Sequence, residues 1–323
     1  MKNIAVVMGG FSAEKVISLK SGEVVIKHLD CKIYNIYPVL IDENGWFLTH
    51  NNSLIKLNKN NFTATINHST ISFDCVFIAI HGTPGEDGVL QKLLESLNIP
   101  HTSSNHVAAE LSFNKEKCNN FLRTHGIHCA QSFLITKNIN YNHDEILSRV
   151  GLPCFVKPNK NGSSFGVSKV TNVNQLKQAI KKALIYDEEV LIESFLSGTE
   201  VTCGVNNFNG QLTTFPITEI VSENDFFDFE AKYKGKSKEI TPARISENEA
   251  SLVSETTKRV YQLLNLNGIA RIDFIIQNGI PFVIEANTVP GLSEKSIIPQ
   301  QAAYMNISLK ELFVQAVEHA LNK

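Results

Sequence analysis

The sequence predicts an α/β protein of two or three domains, with a parallel sheet first and α+β units after it. Three observations carry this. The chain has 323 residues, more than one typical hydrophobic core accommodates. Its N-terminal part alternates short apolar runs with amphipathic stretches, the pattern of βαβ units. Near its end, Arg271-Ile272-Asp273 and Glu285-Ala286-Asn287 flank apolar runs joined by Asn278-Gly279, which marks an antiparallel hairpin.

The first unit is drawn over residues 1–104. Ile4–Met8 reads as a buried strand ended by Gly9-Gly10, and Ser12 as the N-cap of the helix that follows. Further strands are expected near Lys32–Tyr37 and Asp74–Ile80, with an Asn-rich insertion at 42–70 forming a small hairpin and loops. His81-Gly82-Thr83-Pro84-Gly85-Glu86-Asp87-Gly88 is a loop into a helix that places Leu90, Leu93, Leu94 and Leu97 on one face.

The second unit, 105–196, takes a helix at Ser112–Thr124, strands near Ser132–Thr136 and Cys154–Lys157, and a Gly/Ser loop. A strand through Val167–Val170, a helix at Asn174–Leu184 and a strand at Glu189–Leu196 complete it. The third, 197–323, starts with strands at Glu200–Val205 and Leu212–Thr218 and a polar, Lys-rich stretch, Ser222–Glu239. A helix opened by a capping box at Ser246 and Glu249 leads to the hairpin. The last helix opens with Ser308 and Glu311 in the same pattern and buries Leu309, Leu312, Phe313 and Ala316. No internal repeat is visible.

Composition narrows the classes. Hydrophobic content of 43% and charged content of 19% describe an ordinary globular protein. A net charge of −2 offers no basic footprint for nucleic acid and no polybasic membrane patch. The apolar run at the N-terminus is too short for a signal peptide, and none approaches bilayer thickness, so a cytoplasmic protein is expected. The six cysteines (31, 75, 118, 129, 154, 203) have no zinc spacing and read as reduced packing thiols. His125 and His128 read as loop or surface residues.

The hairpin carries the most chemistry. Side chains alternate along a strand, so Arg271 and Asp273 share a face, as do Glu285 and Asn287. Carboxylates with an amide oxygen are ligands for a hard cation, which makes this a magnesium-type site and implies a nucleotide. Register tests the reading. Asp273 faces Glu285 only if the hairpin has an odd loop or a bulge; a three-residue loop with Gly279 left-handed is one solution, and a plain two-residue turn separates the carboxylates. The competing reading is a solvated strand face, against which stand four polar groups beside long apolar runs.

Lys157, at a strand end, is followed by Asn161-Gly162-Ser163-Ser164-Phe165-Gly166, a loop whose glycines and serines let backbone N–H groups approach phosphate oxygens. Alone, the loop is equally a hairpin turn; ahead of a magnesium-type hairpin it reads as a phosphate-covering flap. Glu193 and Glu200 flank a short linker after a buried strand, which suits either a nucleotide cleft or a plain linker with surface acids. Gly9-Gly10-Phe11-Ser12-Ala13-Glu14 lacks Gly-x-Gly-x-x-Gly, which weakens a dinucleotide reading. Glu14 either favours the helix dipole or presents a carboxylate to a substrate ammonium, and His81 is as ambiguous.

In this order, GGFSAE, HGTPGEDGVLQ, VKPNKNGSSFGVSKV, LIESFLSGTE, EAKY, RIDF and EANTVPGLSEKS make the chain resemble the D-alanine–D-alanine ligases of the ATP-grasp superfamily over essentially its whole length. The resemblance implies a three-domain ATP-grasp fold, use of ATP with two Mg2+ (or Mn2+) ions, two D-alanine substrates and a homodimer. It implies that Lys115 and Lys157 contact phosphates, that Gly162, Ser163, Ser164 and Gly166 cover them, and that Glu193 and Glu200 bind adenine and ribose. Asp273, Glu285 and Asn287 would hold the metals, and Arg271 with the Gly291 N–H would stabilise an oxyanion. Glu14 would bind the first ammonium with His81 nearby, and Ser296 with Lys232 the second carboxylate. Ser163 of the flap and Tyr233, from a lid spanning Ser222–Glu239, would link to Glu14. A tyrosine at 233 favours an amine over D-lactate as second substrate. Sister ligases for D-serine or D-lactate, and a non-catalytic nucleotide-binding regulator, are the alternatives.

Overall fold

The computed structural model describes residues 1–208, 210–222 and 237–322. Three sheets organise them. In the first, β1 (Lys2–Gly9), β2 (Tyr34–Asp42) and β7 (Cys75–Ile78) are parallel, and β3 (Gly45–His50) and β4 (Ser53–Lys56) extend the edge antiparallel, in the order β4-β3-β2-β1-β7. β1 is buried on both faces because helices cover both. Ile4 and Val6 pack with Val25 of helix α1 (Lys15–His28), while Ala5 and Val7 pack on the other side with Leu90 and Leu94.

The 42–70 insertion is more ordered than a single hairpin. It supplies β3, β4 and a second small hairpin, β5 (Ala64–Ile66) with β6 (Ser69–Ile71). Trp46, Phe62 and Phe73 hold it down, with edge-to-face ring centroids 6.0 and 5.7 Å apart.

The second sheet is antiparallel, ordered β10-β9-β11-β8 from β8 (Ser132–Thr136), β9 (Cys154–Pro158), β10 (Ser168–Val170) and β11 (Glu189–Ser194). The third is also antiparallel. It runs β15-β14-β12-β16-β17 from β12 (Thr199–Phe208), β14 (Thr218–Ser222), β15 (Ser237–Ile240), β16 (Ala270–Gln277) and β17 (Ile280–Asn287), with β13 (Gln211–Thr214) paired to β12.

The cores do not follow chain order. Leu312 and Phe313 of the last helix, Leu309–Leu321, pack under the first sheet against Ile4 and Phe77. Ala108, Cys118 and Leu122 join the core of the third sheet, with Val201, Ile272 and Val260. Five of the six cysteines are buried among such residues, and burial pushes the Cys118 and Cys203 thiols up to about 12.

Several expected elements differ. Ser12 does not cap α1: the cap position is Glu14, and Ser12 Oγ instead accepts from Glu14 N at 3.2 Å and donates to the His81 carbonyl at 3.0 Å. The helix expected at Ser112–Thr124 is two, His106–Phe113 and Lys115–Thr124, broken where the Asn114 side chain accepts from Lys117 N. The strand expected at Leu212–Thr218 is likewise two, β13 and β14. The Ser246–Glu249 capping box forms in both directions, whereas Ser308 supplies the forward bond to Glu311 N at 3.1 Å. Ser222 and Ser237–Glu239 of the expected lid are strand; Lys232 and Tyr233 lie outside the described residues.

Candidate functional site

The hairpin meets its register test by a bulge. Arg271 faces Asn287 and Asp273 faces Glu285, and the register shifts by one after Asp273, so that Phe274 faces Val283. The loop itself has two residues, Asn278 and Gly279, both with positive φ (53° and 76°), the primed turn that suits strand twist. The three-residue loop therefore does not form; the extra residue, Ile284, sits in β17 instead.

Arg271 grips Asp273 with two parallel bonds of 2.8 and 2.7 Å. Thr202, opposite Asp273 on β12, donates to its Oδ1 at 2.5 Å, and Asn287 Nδ2 donates to Oδ2 at 3.1 Å. Lys115 reaches Glu285 at 3.5 Å and donates to the Asn161 carbonyl at 2.7 Å, tying a helix start to the Gly/Ser loop. Among the described residues no group of three His, Cys, Asp or Glu gathers as a metal cage. A cation here would rest on two carboxylates and the Asn287 amide oxygen, exposed by turning the amide, together with oxygens of a bound ligand. That donor set fits magnesium, which keeps few protein ligands beside phosphates.

A cavity of about 540 Å3 lies between this hairpin and the second sheet, lined by Lys157, Glu193, Glu200, Arg271, Asp273 and Glu285 among others. Lys157 and Glu193, on adjacent strands of the second sheet, form a buried ion pair in its wall, at 8% and 6% exposure, and Asn119 Nδ2 donates to the second carboxylate oxygen of Glu193 at 2.9 Å. The extra bond matters because a buried pair must recover its desolvation cost through good geometry.

Lys115, Gly162, Ser163 and Ser164 also line the cavity. Ser163 and Ser164 are consecutive left-handed residues (φ 48° and 57°), a conformation costing about 1–3 kcal/mol each outside glycine and typical of functional loops. The loop's start is clamped by Asn159, which accepts from Glu116 N at 2.9 Å and donates to Asn114 Oδ1 at 3.0 Å. Gly166 turns away from the cleft, its absent Cβ 2.7 Å from Tyr186.

The loop also reaches the first sheet. Ser163 Oγ donates to Glu14 Oε1, and a Cβ on Gly162 would sit 2.3 Å from Glu14 Oε2. Glu14 is buried, and its Oε2 has no hydrogen-bond partner among the described residues. His81 is buried nearby, and burial holds its pKa below the ordinary value against the pull of Glu14. Gly291 and Ser296 adjoin: a Cβ at 291 would meet Ser296 Oγ at 2.8 Å, and that hydroxyl lies 2.7 Å from Ser293 Oγ.

The sequence reading gave no role to Thr202, Asn119 or Glu86. Thr202 shares the strand alternation of Glu200, a usable signal; Asn119 reaches Glu193 only through tertiary packing. Glu86 lines a second, smaller cavity with Lys115, Gly162, Glu285 and Asn287. Its carboxyl is pushed up to about 8 by burial and then by the neighbouring Glu14 charge.

A Gly/Ser flap on one sheet facing a carboxylate hairpin on another defines a ligase of the ATP-grasp class. Family models described as D-ala D-ala ligase N-terminus and C-terminus match residues 3–104 and 121–318. A D-alanine–D-alanine ligase of Flavobacterium johnsoniae is 49% identical over 99% of this chain and 100% of its own length. Among solved structures, D-alanyl-alanine synthetase A of Vibrio cholerae superposes with a TM-score of 0.89 at 28% identity, covering 100% of this chain and 99% of that one. The Bacillus anthracis D-alanine–D-alanine ligase complexed with ATP gives 0.81 at 29% identity, covering 100% and 98%. The chain belongs to the D-alanine–D-alanine ligase family.

Proposed function

We propose that this ligase joins two D-alanine molecules into D-alanyl-D-alanine for peptidoglycan synthesis, ATP first phosphorylating one D-alanine carboxylate and the second amine then attacking the acyl phosphate. The observation that carries the substrate reading is the buried Glu14 Oε2 beneath the flap, which has no hydrogen-bond partner among the described residues. An acceptor of that kind is costly unless a donor arrives, and an amino-acid ammonium supplies one next to the phosphate-binding loop.

The other roles follow from position. Lys115 and Lys157 take ATP phosphates under the Gly162–Gly166 loop, and Glu193 and Glu200 take adenine and ribose. Asp273, Glu285 and Asn287 hold two Mg2+ or Mn2+ ions, which neutralise charge during phosphoryl transfer when bound. Arg271 and the Gly291 N–H stabilise the oxyanion, His81 borders the first D-alanine, and Ser296 with Lys232 receives the second carboxylate. Tyr233 joins Ser163 and Glu14 on closure. We place the enzyme in the cytoplasm as a homodimer, divided at about residues 104 and 196; no helix among the described residues is long and apolar enough to cross a membrane.

Phosphate release from ATP, measured with D-alanine, D-serine and D-lactate singly and in pairs, tests the reading. D-alanine alone should support full turnover. ATP binding without D-alanine-dependent phosphate release would overturn it, and preference for a mixed pair would make it a sister ligase.

A further inference from the structure

A buried hydrogen-bond chain joins α1, the loop at His81 and the segment carrying Gly291. His81 Nδ1 lies 2.9 Å from the Val289 carbonyl oxygen. A carbonyl only accepts, so Nδ1 bears the proton and donates. With the imidazole neutral, Nε2 is an acceptor, and Ser21 Oγ donates to it at 3.0 Å. The hydroxyl oxygen keeps its own lone pairs, and Leu292 N–H donates to it at 3.2 Å. Each direction in the chain is thereby fixed.

Burial reinforces the point. Ser21 is fully buried and His81 is 5% exposed, so neither exchanges its partners for water. Serine in a helix interior is a poorer helix former than alanine, and a buried hydroxyl without partners costs free energy. Ser21 therefore makes sense where it has both a donor and an acceptor to satisfy. Both His81 ring nitrogens are committed to protein partners.

We propose that Ser21 and His81 are positioning residues that anchor Val289–Leu292, and with it the Gly291 backbone N–H, to α1. The proposal rests on the reading of that N–H as an oxyanion donor. The anchors bracket Gly291, at the Val289 carbonyl on one side and the Leu292 N–H on the other. A peptide held at both ends keeps its N–H aimed; one released at an end can rotate. Donation to an oxyanion depends steeply on aim, so loosening the anchor should lower turnover more than substrate capture.

Steady-state kinetics of full-length Ser21→Ala and Ser21→Cys test this, alongside hydrogen exchange at the Leu292 amide. Ser21→Ala should lose kcat by about 10- to 100-fold, with KM for ATP and for the first D-alanine moving less than about threefold. Ser21→Cys, a weak donor and acceptor, should recover part of the loss. Leu292 exchange should quicken in Ser21→Ala while amides elsewhere in α1 stay protected. Wild-type kcat in Ser21→Ala, or a loss confined to KM, would overturn the proposal. If Ser21→Ala does not fold, Ser21→Cys carries the same measurements, and a kcat loss without faster Leu292 exchange overturns it equally. Arg271→Met separates the layers: if it keeps full kcat, the oxyanion reading itself falls. If it loses activity while Ser21→Ala does not, only the anchor falls.

Discussion

The two ends of the cleft are wired in opposite ways. At the nucleotide end, positive groups are already matched: Lys157 with Glu193, Lys115 with Glu285, and Arg271 with Asp273. At the proposed amino-acid end, Glu14 accepts one bond from the flap and its other oxygen is buried with no partner among the described residues, with the Glu86 carboxyl close enough to feel its charge. A polyanion entering the first end exchanges one partner for another, so the fold bears little strain without it. An ammonium entering the second end satisfies a group the fold has left short. On the proposed assignment, the nucleotide end is built for stability and exchange, and the amino-acid end for selective capture.

The largest expected effect breaks the matched end. Lys157→Met leaves Glu193 buried and uncompensated, which should destabilise the fold by about 3–5 kcal/mol and weaken ATP binding by more than about 100-fold, read by denaturant melts and nucleotide titration. Adding Glu193→Leu should restore most of the stability and none of the ATP affinity; restored affinity would mean the lysine does not serve phosphate. Next, Glu14→Gln should raise KM for the first D-alanine by about 10- to 100-fold, the worth of a charge-assisted hydrogen bond. Gly162→Ala, whose methyl would press on Glu14 Oε2 at 2.3 Å, should hold the flap off and cost about tenfold in kcat.

The smallest effect is in pH. Glu86 has its carboxyl raised to about 8, so the folded protein holds a proton that the unfolded chain releases near the ordinary glutamate pKa of 4.5. Its stabilisation is complete below that ordinary value and is lost as pH rises through about 8. Melting temperatures of Glu86→Gln should therefore fall less than wild type between pH 5 and about 8.5. An unchanged slope would mean that Glu86 ionises normally.

Much of this was legible in the chain. Alternation put Arg271 with Asp273, and Glu285 with Asn287, on shared faces from residue type alone, and Asn278-Gly279 marked the hairpin; the register between the strands depended on an odd loop or a bulge, and the bulge supplies it. The site of the extra residue was not legible: Ile284 is one apolar residue among several, and nothing local says that it bulges. Asn114 caps through a local bond from Lys117 N, yet the same oxygen also accepts from Asn159, a partner far away in sequence that no window shows. Ser12 illustrates the opposite error, a good cap residue recruited by a tertiary partner, the His81 carbonyl. The crossing of cores, with Leu312 beneath the first sheet, is a consequence of chain return that no window of sequence contains.

The contrast between the two ends is tested most directly by measuring the ATP dissociation constant and the first D-alanine KM side by side in Glu14→Gln and Lys157→Met. The effects should be orthogonal, Glu14→Gln moving the D-alanine value and leaving ATP within about threefold, and Lys157→Met weakening ATP first. Loss of ATP affinity in Glu14→Gln as large as in Lys157→Met would contradict the division and make the cleft one undivided site.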